Sequence, residues 1–143
     1  MSAIMNKTEA FGSYGVKLKN VRWSWSAKAT DDSLVVLTFW KDKLLFDKAT
    51  KTYSYDDSAW EAADEVNRPG NSERREYIRL ALAKLGGVVR VVVATAEDTK
   101  ARPRKIASAH PLPRVLMKIV EFDDETGQFK AHSIPTPSQS AGG

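Results

Sequence analysis

The chain has no cysteine and only two histidines, His110 and His132, far apart in sequence. Without thiols there is no disulfide framework, no thiolate zinc site and no cysteine nucleophile. No serine–histidine–aspartate spacing suggests a triad, and no glycine-rich phosphate loop or dinucleotide fingerprint occurs. Gly86-Gly87 stands where a helix ends, the wrong side for holding an anion. No metal and no cofactor are therefore expected. Long apolar runs are missing too: none approaches the roughly 20 residues of a membrane helix. The first twelve residues include Lys7 and Glu9, unlike a signal peptide. These absences lead to the expectation of a cytoplasmic chain with no membrane partner.

What is present suits one ordinary domain. The chain has 143 residues, 42% hydrophobic and 28% charged, with four tryptophans. A domain of this size buries roughly two-thirds of the surface its unfolded chain exposes, and needs neither metal nor disulfide to fold. The net charge is +4 and the pI about 9.3. This mild basic excess permits an anionic partner without demanding one.

The organisation expected from patterning is a flexible leader over residues 1–15, one domain over 16–134, and a disordered tail over 135–143, rich in Pro, Ser and Gly. Val21, Trp23, Trp25 and Ala27 alternate with Arg22, Ser24, Ser26 and Lys28, the period of a strand. A turn at Thr30–Ser33 leads to a second strand, Leu34–Trp40, and the short connection makes the pair an antiparallel hairpin. Leu44–Phe46 and Thr52–Tyr55 read as short paired strands. Residues 57–66 read as a short helix with the Ser58/Glu61 spacing of a capping box. The main helix begins at Asn71 or Ser72, with Glu73 and Glu76 in its first turn, carries Ile78, Leu82 and Leu85 beside Tyr77 and Ala81, and stops at Gly86-Gly87. Val88–Ala96 is apolar enough for a central strand covered on both faces. Residues 97–113, with three prolines, read as a long loop. Arg114–Phe122 and Phe129–Ile134 form a hairpin. The fold class expected is α+β, a largely antiparallel β-sheet with one main helix packed on it.

From Thr99 to Val120 there are six cations and no carboxylate. Lys100, Arg102, Arg104 and Lys105 cluster around Pro103, which denies a backbone donor and keeps the segment out of a central strand. Arg114 and Lys118 follow. Several cations on a stiff loop are what phosphate contacts require, and arginine binds phosphate bidentately. The bland alternative is a solvated loop beside the acidic stretch Asp56–Glu65. Arg75 and Arg79, one turn apart on the helix with Arg74 nearby, offer a second basic face, diluted by Glu73 and Glu76. Trp23 and Trp25, with Trp40 and Phe39 on the next strand, are either core or a platform on which bases stack. If they are core, the opposite side with Arg22 and Lys28 is the wet one.

Taken in order, Asn20–Ala27, Phe39-Trp40-Lys41-Asp42, the turn and helix from Asn67-Arg68-Pro69-Gly70, and Ala96–Asp98 through Pro103–Ile106 resemble a known arrangement. It is the DNA-reading N-terminal region that precedes an HNH nuclease in McrA-like, modification-dependent restriction proteins. The resemblance spans about residues 16–131 and implies a reader of duplex, modified or plain DNA. The HNH half, with its cysteines and histidines, has no counterpart here.

The leading expectation is thus a non-catalytic nucleic-acid-binding module acting on duplex DNA, alone or with a separate nuclease. A second is a phage or mobile-element protein-interaction module, an inhibitor or adaptor. A third is a metal-dependent nuclease in which Asp98 and Lys100 follow a strand at the usual spacing and Asp42 supplies another carboxylate.

Overall fold

The structure is a computed structural model and describes residues 6–20, 24–56, 69–98, 100, 106–125 and 128–134. Its elements in chain order are α1 (Lys7–Gly12), β1 (Ser26–Lys28), β2 (Val35–Trp40), β3 (Leu44–Asp47), β4 (Thr52–Asp56), α2 (Pro69–Lys84), β5 (Val88–Ala96), β6 (Ile106–Phe122) and β7 (Phe129–Ile134). The strands form one sheet in the order β1-β2-β5-β6-β7-β4-β3, antiparallel everywhere except between β2 and β5. The class is α+β, with one main helix on a largely antiparallel sheet. Parallel neighbours need a long crossover, and the chain from β3 through α2 supplies it.

The sheet curls. Phe39 of β2 meets Tyr55 of β4 with ring centroids 4.7 Å apart and Phe129 of β7 at 5.8 Å, although β5 and β6 lie between β2 and β7. Register shifts at Arg90/Val92 and at Ile119/Glu121 help it bend, because an extra residue on one strand increases the local twist. The concave side holds the main core, where Tyr77, Ile78 and Ala81 of α2 join Val89, Val91, Val93, Met117 and Ile119. On the convex side Val36, Val92 and Ala109 are covered by Ala10, Phe11 and Val16. β5 is therefore covered on both faces, as its apolar run requires.

Several expectations are corrected. The leader is not flexible over residues 6–15: Asn6 accepts the Glu9 N–H at 2.8 Å and Glu9 Oε1 accepts the Asn6 N–H at 3.2 Å, a capping box that starts α1. Phe11 is buried, and the Tyr14 hydroxyl donates to the Val91 carbonyl at 2.7 Å. α2 begins at Pro69, whose fixed φ and missing N–H suit a first helical turn. Glu73 consequently falls in the second turn, and it is buried, with Arg74, on the face that carries Tyr77 and Ala81. The buried face of α2 runs through Arg74, Tyr77, Ile78 and Ala81, which leaves Leu82 on its flank and 43% exposed. Gly86 and Gly87 end the helix at φ +63° and +80°, and the Gly87 N–H donates to the Ala81 carbonyl at 2.9 Å, a Schellman closure.

The expected loop over 97–113 is part strand. β6 starts at Ile106 and includes Pro111 and Pro113. β7 pairs with β6 only from Leu116 onward, and β6 slips against β5 between its Pro111 and Leu116 pairings. The prolines thus sit where the ladder has one side or is irregular, so missing donors cost little. The short helix expected over residues 57–66 and the tail over 135–143 lie outside the described residues.

Candidate nucleic-acid interface

The acid-free run contributes three described cations with different supports. Lys100 follows β5, where its N–H donates to Asp98 Oδ1 at 2.9 Å in a tight local turn. Arg114 lies in the irregular stretch of β6. Lys118 lies in regular β6, directly opposite His132 of β7 and Val88 of β5. All three are exposed, and none forms an ion pair with a described residue. Arg90 is beside them, paired in register with Leu116, and donates to the Pro113 carbonyl at 3.3 Å. Arg102, Arg104 and Lys105 lie outside the described residues.

Strand alternation fixes what surrounds Lys118. Met117 and Ile119 enter the concave core, so Lys118 is on the convex side, and the cross-strand row His132, Ser54, Leu45 is with it. No described helix covers this half of the convex face. Leu45 is 64% and Val120 48% exposed there, and a shallow concavity of about 440 Å³ opens among Lys43, Leu45, Val120, Lys130 and His132. Lys130 is partly neutralised by Glu121 at 3.6 Å and Asp56 at 3.9 Å.

The remaining expected contacts are occupied within the fold. Lys28 pairs with Asp32 at 2.6 Å. Arg75 donates to the Glu125 carbonyl at 2.8 Å, and Arg79 pairs with Asp124, so both tie α2 to the turn between β6 and β7. Trp40 is buried, and its N–H donates to the Tyr55 hydroxyl at 3.2 Å. Trp25 is half-buried, with Trp40 5.5 Å from its ring centroid and the Lys7 ammonium at 4.3 Å. Its ring is thus engaged on the convex side. Arg22 and Trp23 lie outside the described residues. The polar side of the first strand is not a wet surface: Ser24 and Ser26 are buried under α2.

Beside Ser24 is a feature that patterning missed. Neither oxygen of buried Glu73 closes a hydrogen bond with a described residue. Burial pushes its carboxyl above the ordinary value, opposed in part by Ser24, Lys19 and Lys7. Lys7 donates to the Ser24 carbonyl at 2.9 Å, and burial lowers its own pKa, with Glu73 pulling the other way. A charged pair of residues, Glu73-Arg74, on a helix reads from sequence as solvated surface. Their spacing of four residues from Tyr77 and Ile78 sets them on the buried face of α2.

For metal chemistry the arrangement offers little to build on. Asp98 Oδ1 is turned to its own loop. Among the described residues no group of three or more His, Asp or Glu side chains is placed to hold a metal ion. No described helix is long and apolar enough to cross a membrane. No protein-family model matches the chain, and neither a curated protein nor a solved structure is found to match it.

Proposed function

We propose that the chain is a nucleic-acid-binding module that grips the backbone of duplex DNA through the acid-free segment from Lys100 to Lys118. One observation carries this reading. Lys100, Arg114 and Lys118 are exposed without a described ion-pair partner, in a stretch, 99–120, that holds no carboxylate. An array of cations without counter-ions gains most from phosphate, because each contact releases condensed counter-ions from the polyanion. The engaged tryptophans argue against base stacking as the main mode, so backbone contacts dominate and a duplex is favoured over a single strand. The likeness in segment order to the DNA-reading regions of McrA-like proteins points the same way, and such a module would act alone or beside a separate nuclease.

The test is fluorescence anisotropy with plain duplex, methylated duplex, single strand and RNA over a salt series. Each phosphate contact contributes about −0.9 to the log–log slope on duplex DNA. Replacing Lys100, Arg114 and Lys118 together with alanine should flatten the slope by about 2 or more. Replacing Arg102, Arg104 and Lys105 should do the same, while Arg75→Ala/Arg79→Ala leaves it unchanged. Unaltered slopes in both triple variants would remove the segment from the interface, and no binding to any of the four probes would remove nucleic acid as the ligand.

A further inference from the structure

We propose that the bulge of β6 around Pro113-Arg114 builds a phosphate seat on the convex face, in which Arg90 of β5 joins Arg114 and Lys118 in holding the phosphodiester backbone of DNA. Arg90 lies outside the acid-free segment, and its assignment rests on the nucleic-acid reading.

The bulge is anchored on several sides. Between the pairs Arg90–Leu116 and Val92–Pro111, one residue of β5 faces four of β6. The feet of the bulge, Leu112 and Val115, pack against the concave core. The Tyr14 hydroxyl, which donates to the Val91 carbonyl at 2.7 Å, is close to it, and both the Leu112 amide and the Arg90 charge act on that hydroxyl. Pro113 has a fixed φ, and Arg90 Nη1 donates to its carbonyl at 3.3 Å. Exposed Arg114 is thus displayed on a tip with two buried feet, a stiff joint and a brace. Bulges next to functional sites re-aim side chains in this way.

Register brings the other two cations to the same place. Val89 and Val91 enter the concave core, so Arg90 between them is on the convex face. Lys118 shares that face and stands opposite Val88, which makes it the diagonal neighbour of Arg90. Diagonal positions are about 7–8 Å apart, within reach of long side chains. The positions that pair with or flank them in register, Val88, Leu116, His132 and Ile134, include no carboxylate. Arg90, like Arg114 and Lys118, forms no ion pair with a described residue. Cations this close repel one another in the free protein, and an oxyanion set among them turns that repulsion into attraction. A backbone phosphodiester offers two non-bridging oxygens that a guanidinium fork fits. Arg90 is half-buried and already tethered to the bulge, so it loses less freedom on binding than a free surface side chain.

Fluorescence anisotropy on plain duplex over a salt series tests the seat. Arg90→Ala and Arg114→Ala should each flatten the log–log slope by about 0.9, and Arg90→Ala/Arg114→Ala by about 1.8. A double variant that loses no more than Arg114→Ala alone would make Arg90 a brace only and overturn the proposal. Arg90→Lys keeps the charge without the fork, so it should keep the slope and bind more weakly. Urea unfolding checks that each variant folds; Arg90→Gln, which retains a donor for the Pro113 carbonyl, replaces an Arg90→Ala that does not. An unchanged slope for Arg90→Ala beside a flattened one for the Lys100, Arg114 and Lys118 triple variant sinks the seat and leaves the nucleic-acid reading standing. If no duplex binds the natural chain, that reading falls, and titration with inorganic phosphate decides the seat. Shifts of the Arg90 and Arg114 Nε–H resonances in nuclear magnetic resonance spectra then support it, and unmoved resonances overturn it.

Discussion

The part of the sheet around β2 and β5 and the part made by β7, β4 and β3 solve the same problem differently. In the first, α2 covers the concave face and α1 with its following turn covers the convex face, so every residue of β2 is buried. In the second, only the concave face is filled, by Tyr55, Phe129 and Ala131, and the convex face carries Lys118, Lys130 and His132. Core strength is therefore concentrated at one end of the molecule. At the other end no described helix covers the convex face.

The largest effect that would break this contrast is a core truncation. Phe39→Ala removes a fully buried ring on β2 and should cost about 3–5 kcal/mol in urea unfolding. Phe46→Ala on β3 should cost less than about 1 kcal/mol, since much of that ring is already in water. Comparable losses at both sites would mean the two parts are equally packed. Next comes the helix stop. Gly87→Ala forces an alanine into φ +80° and brings its Cβ to 3.3 Å from the Ile119 carbonyl oxygen. It should cost about 1–2 kcal/mol, more than Gly86→Ala, whose Cβ meets open space.

Coverage by α2 also buries a carboxylate, and pH exposes the consequence. Because burial raises the pKa of Glu73 in the folded state, the native protein holds that proton to higher pH than the unfolded chain does. Stability from this group therefore falls as pH rises from the ordinary carboxyl value through the raised one, and the full penalty is present above it. Glu73→Gln should be more stable than the natural chain at neutral pH by about 1 kcal/mol. The difference should close as pH falls below the ordinary carboxyl range. A constant difference across pH would mean that Glu73 has the same pKa in the folded and unfolded states. The smallest effect belongs to Arg79→Ala. Its ion pair with Asp124 is exposed on both sides, so the change should be under about 0.5 kcal/mol in unfolding.

Elements with a strong period were legible in the sequence: the β1–β2 hairpin, the apolar β5, the β6–β7 hairpin and the body of α2. α1 escaped because six residues hold too little of a 3.6-residue period. The Asn6/Glu9 spacing was its only local sign. Pro111 and Pro113 pointed to a loop because proline removes a ladder donor, a rule that relaxes where a strand is paired on one side. Of the candidate interface, sequence placed the acid-free run. It did not reveal that Arg75 and Arg79 are held by the turn between β6 and β7, that Lys28 is held by Asp32 of its own hairpin turn, or that Leu45 and Phe46 of the short strand β3 are exposed.

The two prolines of β6 bear on whether a further strand can add to the sheet. A sheet with several receptive margins can recruit copy after copy and grow into a filament. Here β1 is only three residues long, and the stretch of β6 that β7 leaves uncovered has lost two donors to Pro111 and Pro113. Growth by strand addition is thereby starved at both of those margins.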